Sequence, residues 1–276
     1  AAYALVAYET AYLKANYRTE FMAGLLSTKS QRTDDVVKYI ANCREMGIEV
    51  LGPDINESEL DFTITGPKQI RFGFAAIKGL GEAALEAILA ARKAEGRFKD
   101  FFHALKSTDL QKANRKVWES LIKAGAFDSL EPNRAALLEG LPSALENASK
   151  GGNPELGLVA LFDEAEMASL GSGWNVPEGV EPWSRNERLK AERETLGLYV
   201  SGHPLEEFAD AIKVHTVGSL ATLRERIAAG LVRDRDEVRL GLMVTNVSFK
   251  TNAKGEPWAI LTLEDATEKI EGLLMA

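Results

Sequence analysis

The stretch Ile77-Lys78-Gly79-Leu80-Gly81, followed at once by an amphipathic helical pattern from Glu82 to Ile88, decides how this chain is interpreted. Glycine adopts positive φ without a Cβ penalty and lets another backbone approach closely. The first N–H groups of the helix that follows have no intrahelical acceptor and lie at the positive end of the helix dipole. Such groups bind a phosphate oxygen whatever base the phosphate carries. The turn therefore predicts a phosphate-binding site.

A second helical hairpin is predicted near Lys112-Ala113-Asn114-Arg115-Lys116, and Val117, Leu121 and Ile122 continue it as a helix that ends near Gly125. Here Asn114, Arg115 and Lys116 replace glycine, so side-chain charge would carry the phosphate contact. Two such hairpins in tandem are typical of helix-hairpin-helix proteins that hold both strands of a duplex. An ordinary turn between two helices is the alternative for the Gly-x-Gly element.

The distribution of charge supports nucleic acid as the partner more than its total does. The chain carries a net charge of −8, which is unlike a general nucleic-acid binder. Between Lys78 and Lys123, however, ten Lys and Arg residues stand against six Asp and Glu residues, a balance of +4. The basic excess coincides with the predicted hairpins, although a solvated helix face would produce the same excess.

The composition is that of a cytoplasmic globular protein without a membrane segment. The 276 residues have room for two or three small domains, and 45% hydrophobic and 27% charged residues are ordinary values. The single cysteine, Cys43, excludes an internal disulfide and suits a reducing compartment. The apolar start of the chain is interrupted by Glu9 and Lys14, well short of a membrane span. Because the chain starts without methionine and inside a helical pattern, we expect it to be a piece of a longer protein.

The fold class predicted from these patterns is mainly α with a C-terminal β part. Helical spacing covers residues 1–30, and a further helix ends at Gly47 before a short strand over residues 48–51. Alternation on either side of Gly66-Pro67 predicts a hairpin.

From Glu237 onward the pattern changes to β structure. Strands are predicted from Val238 to a turn near Asn252, over residues 258–263 and over residues 269–274. Three strands cannot close a barrel, so this part is interpreted as the start of an incomplete OB-fold. Its candidates for contact with single-stranded nucleic acid are Phe249, Lys250 and Trp258, and core packing is the alternative for Trp258.

The acidic middle of the chain contains an apolar pentapeptide, Leu158-Val159-Ala160-Leu161-Phe162, between two segments rich in glycine and serine. An exposed Leu-Phe pair is unfavourable unless another surface covers it. It either folds back on its own domain or docks as an extended peptide into an apolar groove of a partner.

Several phrases, in order, resemble the family C replicative DNA polymerases of bacteria, the alpha subunits of DNA polymerase III. The resemblance covers essentially the whole chain, and the last phrase is specific to the family. The phrases are Ala2-Tyr3-Ala4-Leu5-Val6-Ala7-Tyr8-Glu9-Thr10, Met46-Gly47-Ile48-Glu49-Val50-Leu51, Pro53-Asp54-Ile55-Asn56, Ala76-Ile77-Lys78-Gly79-Leu80-Gly81, Asn114-Arg115-Lys116-Val117, Gly125-Ala126-Phe127-Asp128 and Glu194-Thr195-Leu196-Gly197-Leu198-Tyr199-Val200-Ser201-Gly202-His203-Pro204-Leu205.

The resemblance implies a map of three regions. Residues 1–69 would be the C-terminal part of the fingers, residues 70–235 a tandem helix-hairpin-helix domain that also binds the sliding clamp, and residues 236–276 the truncated OB-fold. Residues 158–162 fall where the family places its clamp-binding peptide, with Leu158 in place of the usual glutamine. The DNA-binding residues would be Lys78, Gly79, Leu80, Gly81, Lys112, Asn114, Arg115 and Lys116.

The resemblance also implies partners and an activity for the whole protein. The partners would be duplex and single-stranded DNA, the sliding clamp (beta subunit) and other subunits of the replicase holoenzyme. The activity would be that of a DNA-directed DNA polymerase, a nucleotidyltransferase whose carboxylates hold two Mg²⁺ ions.

In the family those carboxylates lie upstream of this segment, so we expect no catalytic residue, no metal ligand and no activity from it alone. Asp234-Arg235-Asp236 is the nearest imitation of a metal-binding pair, and we interpret it as the solvated start of a strand. An independent helix-hairpin-helix repair enzyme, of the glycosylase or ligase type, is an alternative. A helical scaffold without nucleic acid is another.

Overall fold

The computed structural model describes residues 2–150, 174–252 and 255–275. These residues are mainly helical, with two small sheets, and they form two compact units, Ala1–Ser201 and Gly202–Ala276. In order, the described helices are α1 (Ala2–Asn16), α2 (Arg18–Thr28), α3 (Thr33–Glu45), α4 (Glu82–Glu95), α5 (Phe101–Ser107), α6 (Arg115–Ala124), α7 (Arg134–Lys150), α8 (Arg185–Leu196), α9 (Ala209–His215) and α10 (Leu220–Ala228). The strands are β1 (Glu49–Leu51), β2 (Thr63–Gly66), β3 (Gln69–Arg71), β4 (Met243–Thr251), β5 (Pro257–Glu264) and β6 (Lys269–Met275).

The N-terminal stretch that was predicted to be helical contains two helices. The break is at Tyr17, whose backbone leaves the helical region with φ −129° and ψ 58°. Beyond it, α2 buries Met22, Ala23 and Leu26 in the core. Residues 3–16 of α1, in contrast, are exposed on every side. The helical structure predicted over residues 1–30 is thus confirmed over most of its length, with a break at Tyr17.

The first sheet has the strand order β1-β3-β2. Strands β2 and β3 pair antiparallel around Gly66-Pro67, which confirms the predicted hairpin. Strand β1 pairs parallel with β3, with Val50 opposite Ile70, and the sequence did not indicate this pairing. The predicted end of α3 at Gly47 is confirmed, since this glycine has a φ of +69°.

One hydrophobic core runs through the first unit. The Phe62 and Phe72 rings, on either side of the predicted boundary at residue 69, pack with their centres 4.8 Å apart. Further along, Phe101 packs edge-on against Phe127 at 4.9 Å and against Trp118 at 6.2 Å. Each such buried aromatic side chain contributes roughly 1.5–3 kcal/mol to stability. The structure thus divides the chain after Ser201. The three regions at residues 1–69, 70–235 and 236–276 come from the family resemblance, and they stay a prediction.

The second unit contains α9, α10 and the antiparallel sheet β4-β5-β6. The predicted strands over residues 258–263 and 269–274 are confirmed. The predicted strand start at Val238 was wrong, because β4 begins at Met243. Before that point the carbonyl of Arg239 accepts a hydrogen bond from Val217, and Gly241 packs so closely on Ile212 that a Cβ atom would collide with it. These residues are thus held against the helical part of the unit. Within the described residues no complete OB-fold is defined, so that assignment also stays a prediction.

Candidate nucleic-acid interface

The Gly-x-Gly turn presents a row of free backbone donors. Gly79 has a φ of +85°, and Gly81 is the N-cap residue of α4 without a capping side chain. Across the described part of the chain, the backbone N–H groups of residues 79–83 have no acceptor. Both glycines are exposed, so an anion has an open path to these groups. The local geometry is what phosphate binding at a helix N-terminus requires.

This turn lies in the corner between α6 and α8. The backbone N–H of Lys78 donates to the carbonyl of Thr195, at 2.8 Å. A Cβ atom on Gly79 would lie 3.2 Å from the hydroxyl of Ser120 on α6. Glycine at position 79 is thus required both by its positive φ and by a close neighbour. The helices that hold the turn come from parts of the chain that are far away in the sequence.

The element before the turn is shorter than the predicted hairpin implied. A single 3-10 turn, Phe74–Ala76, precedes it, with Phe74 and Ala76 buried. The first hairpin is therefore a 3-10 turn, a glycine turn and the long helix α4.

The second turn is built differently from the first. The Asn114 side-chain oxygen accepts hydrogen bonds from the N–H groups of Lys116 and Val117, so it caps α6. Arg115 forms an ion pair with Glu119 one turn along, at 2.7 Å. Lys112 and Lys116 are exposed, and neither has an ion-pair partner among the described residues. Asn114 thus caps the N-terminus of α6. The attraction of this turn for phosphate therefore comes from Lys112 and Lys116.

Part of the basic excess seen in the sequence is structural. Arg92 is half-buried, donates to the carbonyls of Ile55 and Ser58, and pairs with Glu59 at 2.6 Å. Arg97 lies near Glu57, and Lys123 pairs with Glu194 at 3.0 Å. In the described part of the chain, the basic residues of this stretch outside ion pairs are Lys78, Lys93, Lys99, Lys106, Lys112 and Lys116. The free positive charge near the turns therefore comes from lysines.

The candidate clamp-binding peptide, Leu158-Val159-Ala160-Leu161-Phe162, lies outside the described residues. After the undescribed stretch, Trp174 is anchored on the first unit. Its indole N–H donates to the Ser143 hydroxyl at 2.9 Å, and its ring stacks with Phe102 at 6.0 Å.

The structure does not bring the three single-strand candidates together. Lys250 lies directly opposite Trp258 in the β4–β5 register, so these two side chains share a face of the sheet. Phe249 lies opposite Ala259 and points to the other face. Phe249 is 80% exposed, whereas Trp258 is half-buried. Stacking by Phe249 and phosphate contact by Lys250 would therefore occur on different faces.

Metal-ligating side chains are not clustered in the part of the chain that the structure describes. Among the described residues, no group of three or more His, Cys, Asp or Glu residues is placed to hold a metal ion. Asp236, in the predicted solvated segment, accepts a hydrogen bond from the backbone of Arg233 in a turn. The carboxylates present thus do not fit a pair of Mg²⁺ ions, and we assign no chemical step to them. Nor is any described helix long and apolar enough for a membrane span.

Comparison with known proteins agrees with the geometry of the turns. A family profile described as a helix-hairpin-helix motif matches residues 47–137, which include both turns. A protein of Mycobacterium tuberculosis, DNA polymerase III subunit alpha, is 39% identical over 98% of the chain. The proteins of that name from Saccharopolyspora erythraea and Escherichia coli K12 are each 38% identical over 99% of the chain. The relatives are DNA polymerase III alpha subunits.

The predicted resemblance to DNA polymerase III alpha subunits is thereby confirmed. The chain spans about 23% of the length of these relatives, as measured on the Saccharopolyspora and Escherichia proteins. The similarity is therefore to one segment of these relatives, and the helix-hairpin-helix profile matches residues 47–137 within it.

A buried ion cluster that the sequence did not indicate includes Asp128, from the phrase Gly125-Ala126-Phe127-Asp128. Arg134 donates to both carboxylate oxygens of Asp128, at 2.7 and 2.6 Å, and to Glu192 at 3.1 Å. Arg134 and Glu192 are 4% and 1% exposed, so water does not screen the charges. Burial by itself would lower the pKa of Arg134, but hydrogen bonds and charge attraction from Asp128 and Glu192 outweigh it and raise the pKa above its usual value. The available signal was the Asp128 of Gly-Ala-Phe-Asp, which had no role assigned.

Proposed function

We propose that this chain is the part of a replicative DNA polymerase that binds duplex DNA through backbone phosphates. The observation that carries the proposal is the exposed row of N–H groups at residues 79–83, which have no acceptor in the described chain. The unpaired Lys78 and Lys116 add positive charge at the two turns. Contacts of this kind read the phosphate and not the base, so affinity should be independent of sequence and fall steeply with salt.

A salt titration of duplex binding tests this proposal. The double variant Lys78→Ala/Lys116→Ala should weaken binding alike on unrelated sequences, and the slope of log K against log salt should fall by about one to two, in line with two lost phosphate contacts. Lys38→Ala, which removes an exposed lysine from α3, serves as the matched control and should bind as the wild type does. If the double variant loses affinity for only one sequence, or for none, the proposal is wrong.

We propose further that residues 158–162 dock the sliding clamp. Support comes from the apolar Leu161-Phe162 pair and from the family resemblance. Replacing Leu161 and Phe162 with alanine should abolish clamp binding and leave the affinity for bare duplex intact. Leu158 cannot make the polar contact of a glutamine side chain, so Leu158→Gln should tighten the complex. A clamp interaction that survives the Leu161→Ala/Phe162→Ala change would remove this assignment.

The second unit is proposed to begin an OB-fold that contacts single-stranded template. Its antiparallel three-stranded sheet is compatible with that fold. Since Lys250 and Trp258 share a face, contact through this face predicts that Trp258→Ala and Lys250→Ala weaken single-strand binding and that Phe249→Ala does not.

For the whole protein, we propose cytoplasmic DNA-directed DNA polymerase activity with Mg²⁺, in company with the other replicase subunits. Two Mg²⁺ ions, bound outside this segment, would activate the primer hydroxyl and steady the leaving pyrophosphate. This segment would bind the duplex through its phosphates. An independent repair enzyme is not favoured, because the similarity to DNA polymerase III alpha subunits extends over 98–99% of the chain. A primer-extension assay of the purified chain should show no synthesis.

A further inference from the structure

The phrase at residues 194–205 contacts the phosphate-binding turn through the carbonyl of Thr195. We define the brace as residues 192–201, the end of α8 and the segment after it. The carbonyl of Thr195 in the brace accepts the N–H of Lys78, at 2.8 Å. The next five N–H groups along the chain are the free donors of the turn. The brace therefore holds the backbone at the point where the row of free donors begins.

The brace is itself fixed by buried contacts. One oxygen of the Glu192 carboxylate accepts from Arg134, and the other accepts the N–H groups of Val200 and Ser201, each at 2.9 Å. Between these ends, Leu196 and Leu198 are buried in the core of the first unit. A buried carboxylate that holds an arginine on one side and two backbone amides on the other leaves the segment little freedom to move.

At the middle of the brace lies Gly197, which meets the turn directly. It has a φ of +79° and ends α8 in the left-handed conformation. A Cβ atom here would collide with the Thr33 side chain and lie 3.6 Å from the Lys78 ammonium nitrogen. Any other residue at this position is therefore expected to push the brace away from α3 and from the turn.

We propose that the brace is the positioning element of the phosphate-binding turn, and that Gly197 and Glu192 act on DNA affinity through Lys78. This inference rests on the proposed function, because it assumes that the turn binds phosphate. Free donors at a helix start bind an anion well only when they are held in one arrangement, since otherwise binding must also order them. The N–H of Lys78, fixed by Thr195, supplies that arrangement.

The test combines duplex titration with amide hydrogen exchange on the same 276-residue chain. Gly197→Ala should weaken duplex binding about tenfold at fixed salt, a change equivalent to about 1.4 kcal/mol. Exchange at the Lys78 amide should speed up, while the Phe72 amide, which donates to Leu51, keeps its protection. Adding Thr33→Ser removes the methyl group in the way and should restore part of the affinity. If Gly197 only supported overall stability, Thr33→Ser would restore no DNA affinity in a variant that is already folded.

The matched control is Gly179→Ala, because Gly179 also has a positive φ, +77°, but has open space where its Cβ would be. It should bind DNA as the wild type does. If Gly197→Ala does not fold, Thr33→Leu crowds the same contact from α3 without backbone strain and should give the same loss.

Two results would overturn the proposal. The first is wild-type affinity in folded Gly197→Ala or Thr33→Leu. The second is measured on the wild type: hydrogen exchange at the Lys78 amide that is as fast as at the free amides of Leu80 and Gly81. If the Lys78→Ala/Lys116→Ala variant also leaves DNA affinity unchanged, both the brace and the proposed phosphate-binding function are rejected. If that variant weakens binding, only the brace is rejected.

Discussion

The guanidinium of Arg134 lies against Gly125, in the space that a Cβ atom on Gly125 would occupy. Gly125 ends α6 with a φ of +84°, and its lack of a side chain lets Arg134 reach Asp128 and Glu192. The glycine of the Gly-Ala-Phe-Asp phrase is therefore needed for the buried ion cluster as well as for the end of the helix.

Gly125→Ala should lower the free energy of unfolding by roughly 3–5 kcal/mol, because it adds left-handed strain and displaces a buried cation from two carboxylates. Gly47→Ala is the matched control, since Gly47 also follows a helix with positive φ but has no neighbour within 4 Å. The control should cost roughly 1–2 kcal/mol, from strain alone. Urea unfolding followed by circular dichroism measures both, and equal losses in the two variants would contradict the role of Arg134.

Glu82→Gln should strengthen duplex binding about two- to fivefold at low salt, since a charge at a helix end is worth roughly 0.3–1 kcal/mol. Glu82 is the first residue of α4 and is exposed beside the free N–H groups, where its carboxylate repels phosphate. Glu86→Gln, also exposed but one turn further along, should have a smaller effect. Fluorescence anisotropy at two salt concentrations measures the change, and the gain should fade as salt rises. Weaker binding by Glu82→Gln would count against phosphate at this helix start.

Cys43 should be inert to thiol reagents in the folded protein. Its side chain is fully buried in the core, and burial raises the pKa of the thiol to about 11. Only the thiolate reacts with such reagents, and in the folded protein the Cys43 thiol is both inaccessible and un-ionised. Because Cys43 is the single cysteine, the colour released by an aromatic disulfide reagent at pH 8 reports on it alone. Stoichiometric colour should appear only on unfolding in urea; rapid colour in native buffer would show that α3 does not pack as described.

The stability of the second unit should depend on the ionisation of Asp265. Burial alone would raise the pKa of this carboxyl, but hydrogen bonds from the Thr267 hydroxyl and from the backbone N–H groups of Leu220, Glu268 and Thr267 outweigh it and lower the pKa. A lowered pKa in the folded state means that the stabilisation is fully present at neutral pH. It is lost as the pH falls below the ordinary value of 3.8 and through the folded-state value.

Asp265→Asn is the variant that tests this dependence, since its amide keeps the shape but not the charge. The wild type should be more stable at pH 7, and the difference should shrink as the pH approaches 3. Amide exchange of β5 and β6 follows the second unit specifically. A difference that stays constant with pH would contradict the prediction.

Much of the local structure could be predicted from short stretches of sequence. Gly47 and Gly125 ended helices as expected, and the hairpin at Gly66-Pro67 formed as predicted. At the second turn, the sequence did not specify which partners the side chains would have. Asn114 belonged to the predicted DNA contact, but in the structure its side chain caps α6, while Arg115 pairs with Glu119. Whether a polar side chain near a helix start faces a ligand or its own backbone depends on a rotamer, which the sequence does not specify.

By itself, the sequence determined the predominance of helices, the Gly-x-Gly turn at the start of α4, the second and third strands of the C-terminal sheet and the kinship with DNA polymerase III alpha subunits. The structural features among these depend on backbone preferences and side-chain periodicity over a few neighbouring residues. The similarity to the relatives depends on residue identities along the whole chain. Only the tertiary structure decided that Thr195 holds Lys78, that Glu192 holds Arg134, and that Lys250 lies opposite Trp258 in the sheet. The first two contacts join residues 117 and 58 positions apart, as numbered in the chain, so they arise from how the helices pack around a shared core. The third depends on strand register, which is settled by pairing between strands.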